Sequence, residues 1–462
     1  MVDLTLKIHP GPAGNADFDR ALWGEPELVS GVAQKRAGPN VVLISLDTLR
    51  ADFLGAYGYP RDTSPSIDSL AADGLVFENA MSQSAWTLPA HFAMLTGRFP
   101  DRQMLVYDES ICRVGDSAVT LAETLRANGY LTAAFTGGGF VGYDSGFAQG
   151  FDFFRTYGRL ISHSLPGVNE WLERFRRESF FLFLHSYDTH RPYAPPSQAR
   201  DLFAGDKPEA CAGIDFSKPA QDADEWEACV MSAEGIDHVK DLYAALLFDA
   251  DRHLGQLFAK LSELGLMDDT IVVITSDHGE EFYEHGRTGH TLAVFQESIH
   301  VPLVFWGPGV PKGQREEETV ALVDIVPTLL ELLEIPAWQG LVGRSLVPRF
   351  NGSPLTSRPV YSASAWQEGW PVASDVQHIF TSAIQADGVK VIRNLGRNYD
   401  HVLRYSLRDD PTERHGLSPS QASVVERQLD RWLRKIRHPL MCTLSSPHSE
   451  TRAQLEALGY LQ

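Results

Sequence analysis

Three apolar runs that each break off in acidic and imidazole side chains constrain this chain more than any other feature. Asn40 to Leu46 reads NVVLISL and passes straight into Asp47. FFLFLHSYD, residues 180–188, ends on Asp188, with His190 close behind. TIVVITSDHG, residues 270–279, carries Asp277 and His278 near its end. Runs without in-out alternation need cover on both faces, as the strands of a parallel sheet have. Helical patterns lie between them: 64–74 opened by Ser64 and Pro65, 118–129 closed by Gly129, 241–265, and most of 321–335. Apolar strands at 131–136 and 301–306 complete the alternation. The order predicts an α/β fold with a doubly wound, mostly parallel sheet flanked by helices. In such sheets ligands bind beyond the carboxyl ends of the strands. One Asp or His there is commonly a cap or a surface group, but three strand ends agree. Carboxylate oxygen together with imidazole is a donor set for Zn, Mn, Mg or Ca.

The chain has 462 residues, enough for a large core and more than one domain. Residues 1–38 mix Gly, Pro and charge and read as an N-terminal extension. Residues 39–355 form the α/β domain, and 356–462 a smaller C-terminal α+β subdomain of short antiparallel strands and a helix at SVVERQLDRWLRKI. Residues 201–238 hold ten acidic side chains against two lysines, an insertion that reads as a solvated acidic loop or a lid. The net charge of −20 repels phosphate backbones and anionic lipid, so nucleic acid and membrane surfaces are not expected partners. A small anionic substrate would need local positive charge from a metal or basic side chains. Whether copies of the chain associate into a homo-oligomer stays open. The N-terminus shows no secretory pattern and no run approaches the ~18 apolar residues of a membrane span, which predicts a soluble, cytoplasmic protein. Cys112, Cys211, Cys229 and Cys442 are scattered and are expected to be buried or idle thiols. Cys211 and Cys229 share one segment and could bridge.

The segment SAWTLPAHFAMLTGR, residues 84–98, reads as a helix with Pro89 in its first turn and Gly97 as its C-cap. Thr87 then lies at the helix N-terminus, where free N–H groups and the dipole favour a developing oxyanion. A metal on the same hydroxyl would make it a nucleophile. The plainer reading is an N-cap.

NVVLISLDTLRADFLGAYGY, WTLPAHFAMLTGR, ITSDHGEEFYEHGRTGH and VPLVFWGPG, in this order and spacing, resemble the sulfatase-like branch of the alkaline phosphatase superfamily. The resemblance runs from about Asn40 to Leu346, and more weakly through YSLRDDPTE to the terminal LEALGYL. It implies that Asp47, Asp277 and His278 are metal ligands and that Thr87 is the nucleophile, itself touching the metal. His190 in HRPY resembles the substrate-binding histidine of H-x-P-Y. His290 resembles a cationic or second-metal position, usually lysine in sulfatases and histidine in phosphoethanolamine transferases.

The departures from that family bear on the chemistry. Sulfatases carry C/S-x-P-x-R, whose Cys or Ser is oxidised to formylglycine. Threonine has a methyl on Cβ, so oxidation of Thr87 would give a ketone and not the aldehyde. His91 stands where the motif has arginine and is a substrate-binding candidate. The signature G-Y-x-T followed by G-K-W-H becomes Gly129-Tyr130-Leu131-Thr132 followed by Thr136-Gly137-Gly138-Gly139, without its lysine and histidine. Asp47-Thr48 replaces the usual Asp-Asp, and Asp277-His278 replaces Asp-Asn, which favours Zn or Mn over Ca or Mg. His185 and Asp188 are candidates for a second metal or for orienting His190. His285 is equally a structural residue. Arg50 could pair with a substrate oxygen or form a buried ion pair. The resulting expectation is a metal-dependent hydrolase of phosphate or phosphonate esters, of phosphodiesterase or phosphonate monoesterase type, with a covalent Thr87 intermediate. A diester or phosphonate is favoured because one full metal site is evident. The alternatives are a sulfatase without formylglycine, a soluble phosphoryl-group transferase, and a non-catalytic binding homologue.

Overall fold

The computed structural model describes residues 38–100, 106–107, 111–115, 117–219, 223–290, 293–366, 379–386, 388–396, 399–435 and 442–460. The extension 1–38 therefore lies, except for its last residue, outside the described residues. A nine-stranded sheet forms the centre. Thr270–Thr275, Asn40–Leu46, Phe180–Ser186, Leu131–Thr136 and Phe153–Thr156 lie side by side and parallel. Leu303–Trp306 runs antiparallel between Thr270–Thr275 and Leu75–Met81. His300–Val301 and Gln314–Ala321 also pair with Leu75–Met81. The fold is thus the mixed, mostly parallel α/β sheet that the alternation predicts.

The three strands that open the sequence argument are buried along their whole length. Side chains alternate between faces, so each apolar run feeds two cores. Val41, Leu43, Phe181 and Phe183 pack with Leu88, Phe92, Leu121 and Leu329 on one face. Val42, Ile44, Leu182 and Leu184 pack with Ile67, Val168, Leu246 and Leu254 on the other. The registers place Leu46 beside Ser186 and Ser45 beside Thr275, so the polar continuations of all three strands leave the sheet at one edge.

Helices form at the expected places with shifted ends: Pro65–Ala72, Leu121–Ala127 and Ile325–Leu332. The long helix starts well before 241, as Ala233–Glu263, with the Ser232 hydroxyl accepting from the Gly235 N–H. Among the described residues no helix is long and apolar enough to cross a membrane.

The acidic insertion is not a solvated loop. It forms helices Ser197–Phe203 and Ala223–Met231 and a small apolar cluster of Cys211, Ile214, Cys229, Phe216 and Trp226. A disulfide joins Cys211 to Cys229, and Cys112 is also disulfide-bonded, which corrects the expectation of idle thiols. Cys229 lies 18 positions after Cys211, and closing a loop of that size in the unfolded chain is worth about 3 kcal/mol. Replacing both cysteines by serine should therefore lower stability by about 2–4 kcal/mol in denaturant unfolding without reductant. Unfolding midpoints equal to wild type would show that the bridge contributes nothing.

The C-terminal sheet has the order Tyr399–Ser406, Val389–Gly396, Ile379–Ala386, Val360–Trp366, with Val106–Tyr107 added at its edge. Helix Pro419–Lys435 packs on it through Ala422, Val425 and Leu429. The two parts of the chain interlock. Ser364 of the smaller sheet accepts a hydrogen bond from the Ala85 N–H at 3.0 Å. In return helix Ser449–Ala457 places Leu455, Leu458 and Tyr460 in the main core.

Candidate active site

Thr87 is the first residue of the helix Thr87–Thr96, and Trp86 occupies the N-cap position without a side-chain cap bond. The whole helix is buried, and Gly97 closes it at φ 63°, a left-handed value that glycine adopts without strain. The Thr87 hydroxyl is not a cap. Its Oγ1 donates to Asp47 Oδ2 at 3.1 Å and lies 3.4 Å from His278 Nε2 and 3.3 Å from the Tyr460 hydroxyl.

Asp47 follows its strand directly, and Asp277 and His278 follow theirs. All three are fully buried, and one ligand atom from each falls within 4.8 Å of the others. Thr48, next to Asp47, is held at φ 60°, a costly backbone for a β-branched residue. Its N–H reaches Asp277 Oδ1 at 3.3 Å, and its hydroxyl donates to the Asp47 carbonyl at 2.7 Å. The residue in place of the second aspartate thus braces the turn that presents Asp47.

Two carboxylates buried together cannot both carry charge without a counter-charge. Burial, then the charge of Asp277, pushes Asp47 well above the usual carboxylate range. Asp277 moves the other way: burial opposes its charge, but the rings of His278, His91 and His185 hold it down at about 2. Burial lowers His278 to about 4, so its imidazole is neutral, the form that ligates metals. Its Nδ1 contacts the Gly279 carbonyl at 2.9 Å, which puts the proton on Nδ1 and leaves the Nε2 lone pair facing the two aspartates. Asp47 Oδ1 and Asp277 Oδ2 are buried polar atoms without a hydrogen-bond partner. Orphaned carboxylate oxygens beside a neutral imidazole fit a divalent cation, with Asp47, Asp277 and His278 as its ligands and Thr87 Oγ1 alongside.

His190 and His290 lie together, their rings 5.0 Å apart, with the His290 ring 4.5 Å from that of His278. His290 Nδ1 contacts Glu280 Oε1 at 2.9 Å, and Tyr193 donates to the other oxygen of Glu280 at 3.0 Å. Burial would raise Glu280, but the His290 ring holds it below the usual range. Burial, then His290, keeps His190 well below its ordinary value.

The remaining candidates sit elsewhere. His91 lies one helical turn behind Thr87, fully buried, with Nδ1 2.9 Å from the Thr87 carbonyl and Nε2 3.1 Å from Ser45 Oγ. Both ring nitrogens are engaged, and Nδ1 also lies 3.4 Å from Asp277 Oδ2, so it supports the helix start and Asp277. Arg50 is held by both oxygens of Asp52, by Glu284 at 2.6 Å and by the Glu280 carbonyl. Four of its five N–H donors are engaged, the arrangement of the buried ion pair. Asp188 Oδ2 accepts from the Ile161 N–H at 2.8 Å, at the start of helix Ile161–Phe175. His185 is buried with Nε2 3.8 Å from Asp47 Oδ2. His285 pairs with Glu297 and stacks on Phe295 at 3.7 Å, away from Thr87. Sequence reasoning missed Glu280, although it adjoins the Asp-His pair in DHGEEF, and Tyr460, whose only signal was the terminal LEALGYL.

The family model described as Sulfatase matches residues 39–335. A second, described as N-sulphoglucosamine sulphohydrolase, C-terminal, matches residues 284–439. Arylsulfatase K of Rattus norvegicus is 26% identical over 371 residues, covering 70% of this chain and 64% of the relative. This chain thus spans just under two thirds of that relative's length. Arylsulfatase K of Bos taurus is 27% identical over 399 residues, covering 75% of this chain and 70% of the relative. Among solved structures, the phosphonate monoester hydrolase of Agrobacterium radiobacter aligns with TM-score 0.67 and 21% identity, covering 86% of this chain and 95% of that one. A 2-O GAG sulfatase aligns with TM-score 0.66 and 21% identity, covering 92% and 97%. At these identities the solved structures share the fold.

Proposed function

The chain belongs to the sulfatase family, and on that premise we propose that it is a metal-dependent hydrolase of phosphate or phosphonate esters, of the phosphodiesterase or phosphonate monoesterase type, acting through a covalent Thr87 intermediate. One observation carries the reading: a threonine hydroxyl, which cannot become formylglycine, heads the buried helix and donates to Asp47 Oδ2 at 3.1 Å. A divalent cation held by Asp47, Asp277 and His278 would neutralise the ester's charge and lower the pKa of the hydroxyl. Zn or Mn suits the Asp-His pair.

Thr87 Oγ1 attacks phosphorus in line, its proton passing to Asp47 Oδ2. The bond from phosphorus to the ester oxygen breaks, and the leaving oxygen takes a proton from solvent. Water then attacks phospho-Thr87 and gives up a proton to solvent, the bond between phosphorus and Oγ1 breaks, and Oγ1 takes back its proton from Asp47 Oδ2. His190 and His290 turn Nε2 toward this volume, where they would contact the equatorial oxygens of the ester. Glu280 fixes the ring of His290. A sulfo-threonine would instead need attack at sulfur.

The names of the relatives favour a second reading, hydrolysis of sulfuric esters at the same hydroxyl. Matched aryl phosphodiester, phosphonate, phosphate monoester and sulfate substrates, each assayed with Zn and with Mn, separate the two. We expect the diester or phosphonate to be preferred. A sulfate preference beyond roughly tenfold in kcat/KM, about 1.4 kcal/mol of transition-state binding, overturns the phosphoryl reading. The disulfides weigh against the cytoplasmic location expected from the sequence, because thiols are kept reduced there.

A further inference from the structure

The C-terminal end of the chain reaches into the site. Helix Ser449–Ala457 is followed by Leu458, by Gly459 at φ 83° and by Tyr460. The Tyr460 N–H bonds the Leu455 carbonyl at 2.9 Å and the Gly459 N–H bonds the Glu456 carbonyl at 3.0 Å. This pair of bonds is a Schellman closure, which needs the left-handed glycine and turns the next residue back across the helix end. Gln454 Oε1 accepts from the Gly139 N–H at 2.9 Å, and Leu455 and Leu458 are buried in the main core. The Tyr460 ring meets Phe140 edge-on, with centroids 4.9 Å apart. Its direction is therefore fixed by the backbone and by packing on two sides.

That direction carries the hydroxyl to the reacting group. It lies 2.9 Å from His190 Nε2, 2.8 Å from His290 Nε2 and 3.3 Å from Thr87 Oγ1. The glycines at 137–139 offer no polar side chain there, and added Cβ atoms would meet Tyr187 at 2.6 Å from Gly137 and at 3.1 Å from Gly139. We propose that Tyr460 is a catalytic residue whose hydroxyl donates a hydrogen bond to an oxygen of the anionic group as Thr87 attacks it, so that the C-terminal segment forms one wall of the site. A phenol is neutral and a donor at physiological pH, and it adds no charge to balance against the cation. A donor aimed at the attacking atom's surroundings is the arrangement that stabilises charge developing in a transition state. The proposal rests on Thr87 being the attacking group.

The test is full-length Tyr460→Phe, which keeps the ring on Phe140 and removes one oxygen. Metal content and the thermal transition should match wild type. Inorganic phosphate, titrated into the metal-loaded protein, should bind about tenfold more weakly, and kcat/KM should fall on the order of 10- to 100-fold, mostly in kcat. Phosphate affinity and kcat/KM both within about twofold of wild type would mark Tyr460 as packing only and overturn the proposal. Tighter phosphate binding in the variant would overturn it too, since the hydroxyl would then be blocking the anion's place. The titration needs no turnover, so a protein that hydrolyses none of the esters loses the proposed function while the place of Tyr460 is still decided.

Discussion

Asp277→Ala should give a folded protein that no longer retains a divalent cation. Asp277 Oδ2 makes no hydrogen bond and lies 3.3 Å from His278 Nε2 and 3.4 Å from His91 Nδ1, and its charge is the one that the neighbouring imidazoles keep in place. Removing it deletes a ligand and half of the carboxylate charge. The empty protein does not suffer in proportion, because the loss also ends the repulsion with Asp47. What it does lose is the acceptor for the Thr48 and His278 N–H groups at 3.3 and 2.9 Å. Asp277→Asn keeps an acceptor oxygen there and separates the two effects. Binding to the native state alone adds about 2.7 kcal/mol of stability at a hundredfold excess over Kd. Chelator should therefore lower the wild-type unfolding temperature and leave both variants where they were. Elemental analysis after gel filtration reads the same point directly. Stoichiometric metal in Asp277→Ala would place the ion elsewhere.

The sequence made the strand ends legible for a physical reason. A strand covered on both faces excludes carboxylates until it leaves the sheet, so the first acidic residue marks the edge, as Asp47 and Asp277 do. Proline and glycine marked the helix that carries Thr87 in the same way. Nearness along the chain was a poorer guide. Arg50 follows Asp47 closely, but the left-handed Thr48 turns the backbone, and the guanidinium ends against Asp52 and Glu284. His91 shares a helix face with Thr87, yet that period sets it one turn deeper, against the Thr87 carbonyl. Tyr460 is 373 residues from Thr87 in sequence, and its place depends on a helix closure and on packing that no local pattern encodes. The bridge between Cys211 and Cys229 was open to the sequence only as a possibility, because its spacing has no signature and its geometry comes from two segments meeting beside the long helix.

Thr87→Ala should bind metal and fold like wild type but lose at least about 10³-fold in kcat, about 4 kcal/mol of transition-state stabilisation. The methyl of alanine fits the space that Thr87 Cβ occupies, and Asp47, Asp277 and His278 are untouched, so the loss would report the missing hydroxyl alone. Its former partners, Asp47 Oδ2 and the Tyr460 hydroxyl, stay close enough to hold a water, and that water is the competing nucleophile. Thr87→Ser decides between the two. It restores Oγ but removes the branch that restricts the side-chain rotamer, so activity should return to within about tenfold of wild type. A serine variant as inactive as alanine would mean that the branch, by fixing where Oγ1 points, is itself required. An alanine variant near wild-type turnover would mean that water attacks directly and that no covalent step occurs. Rapid acid quench during turnover gives the positive control: wild type and Thr87→Ser should carry a phosphoryl group on the peptide containing residue 87, and Thr87→Ala should carry none.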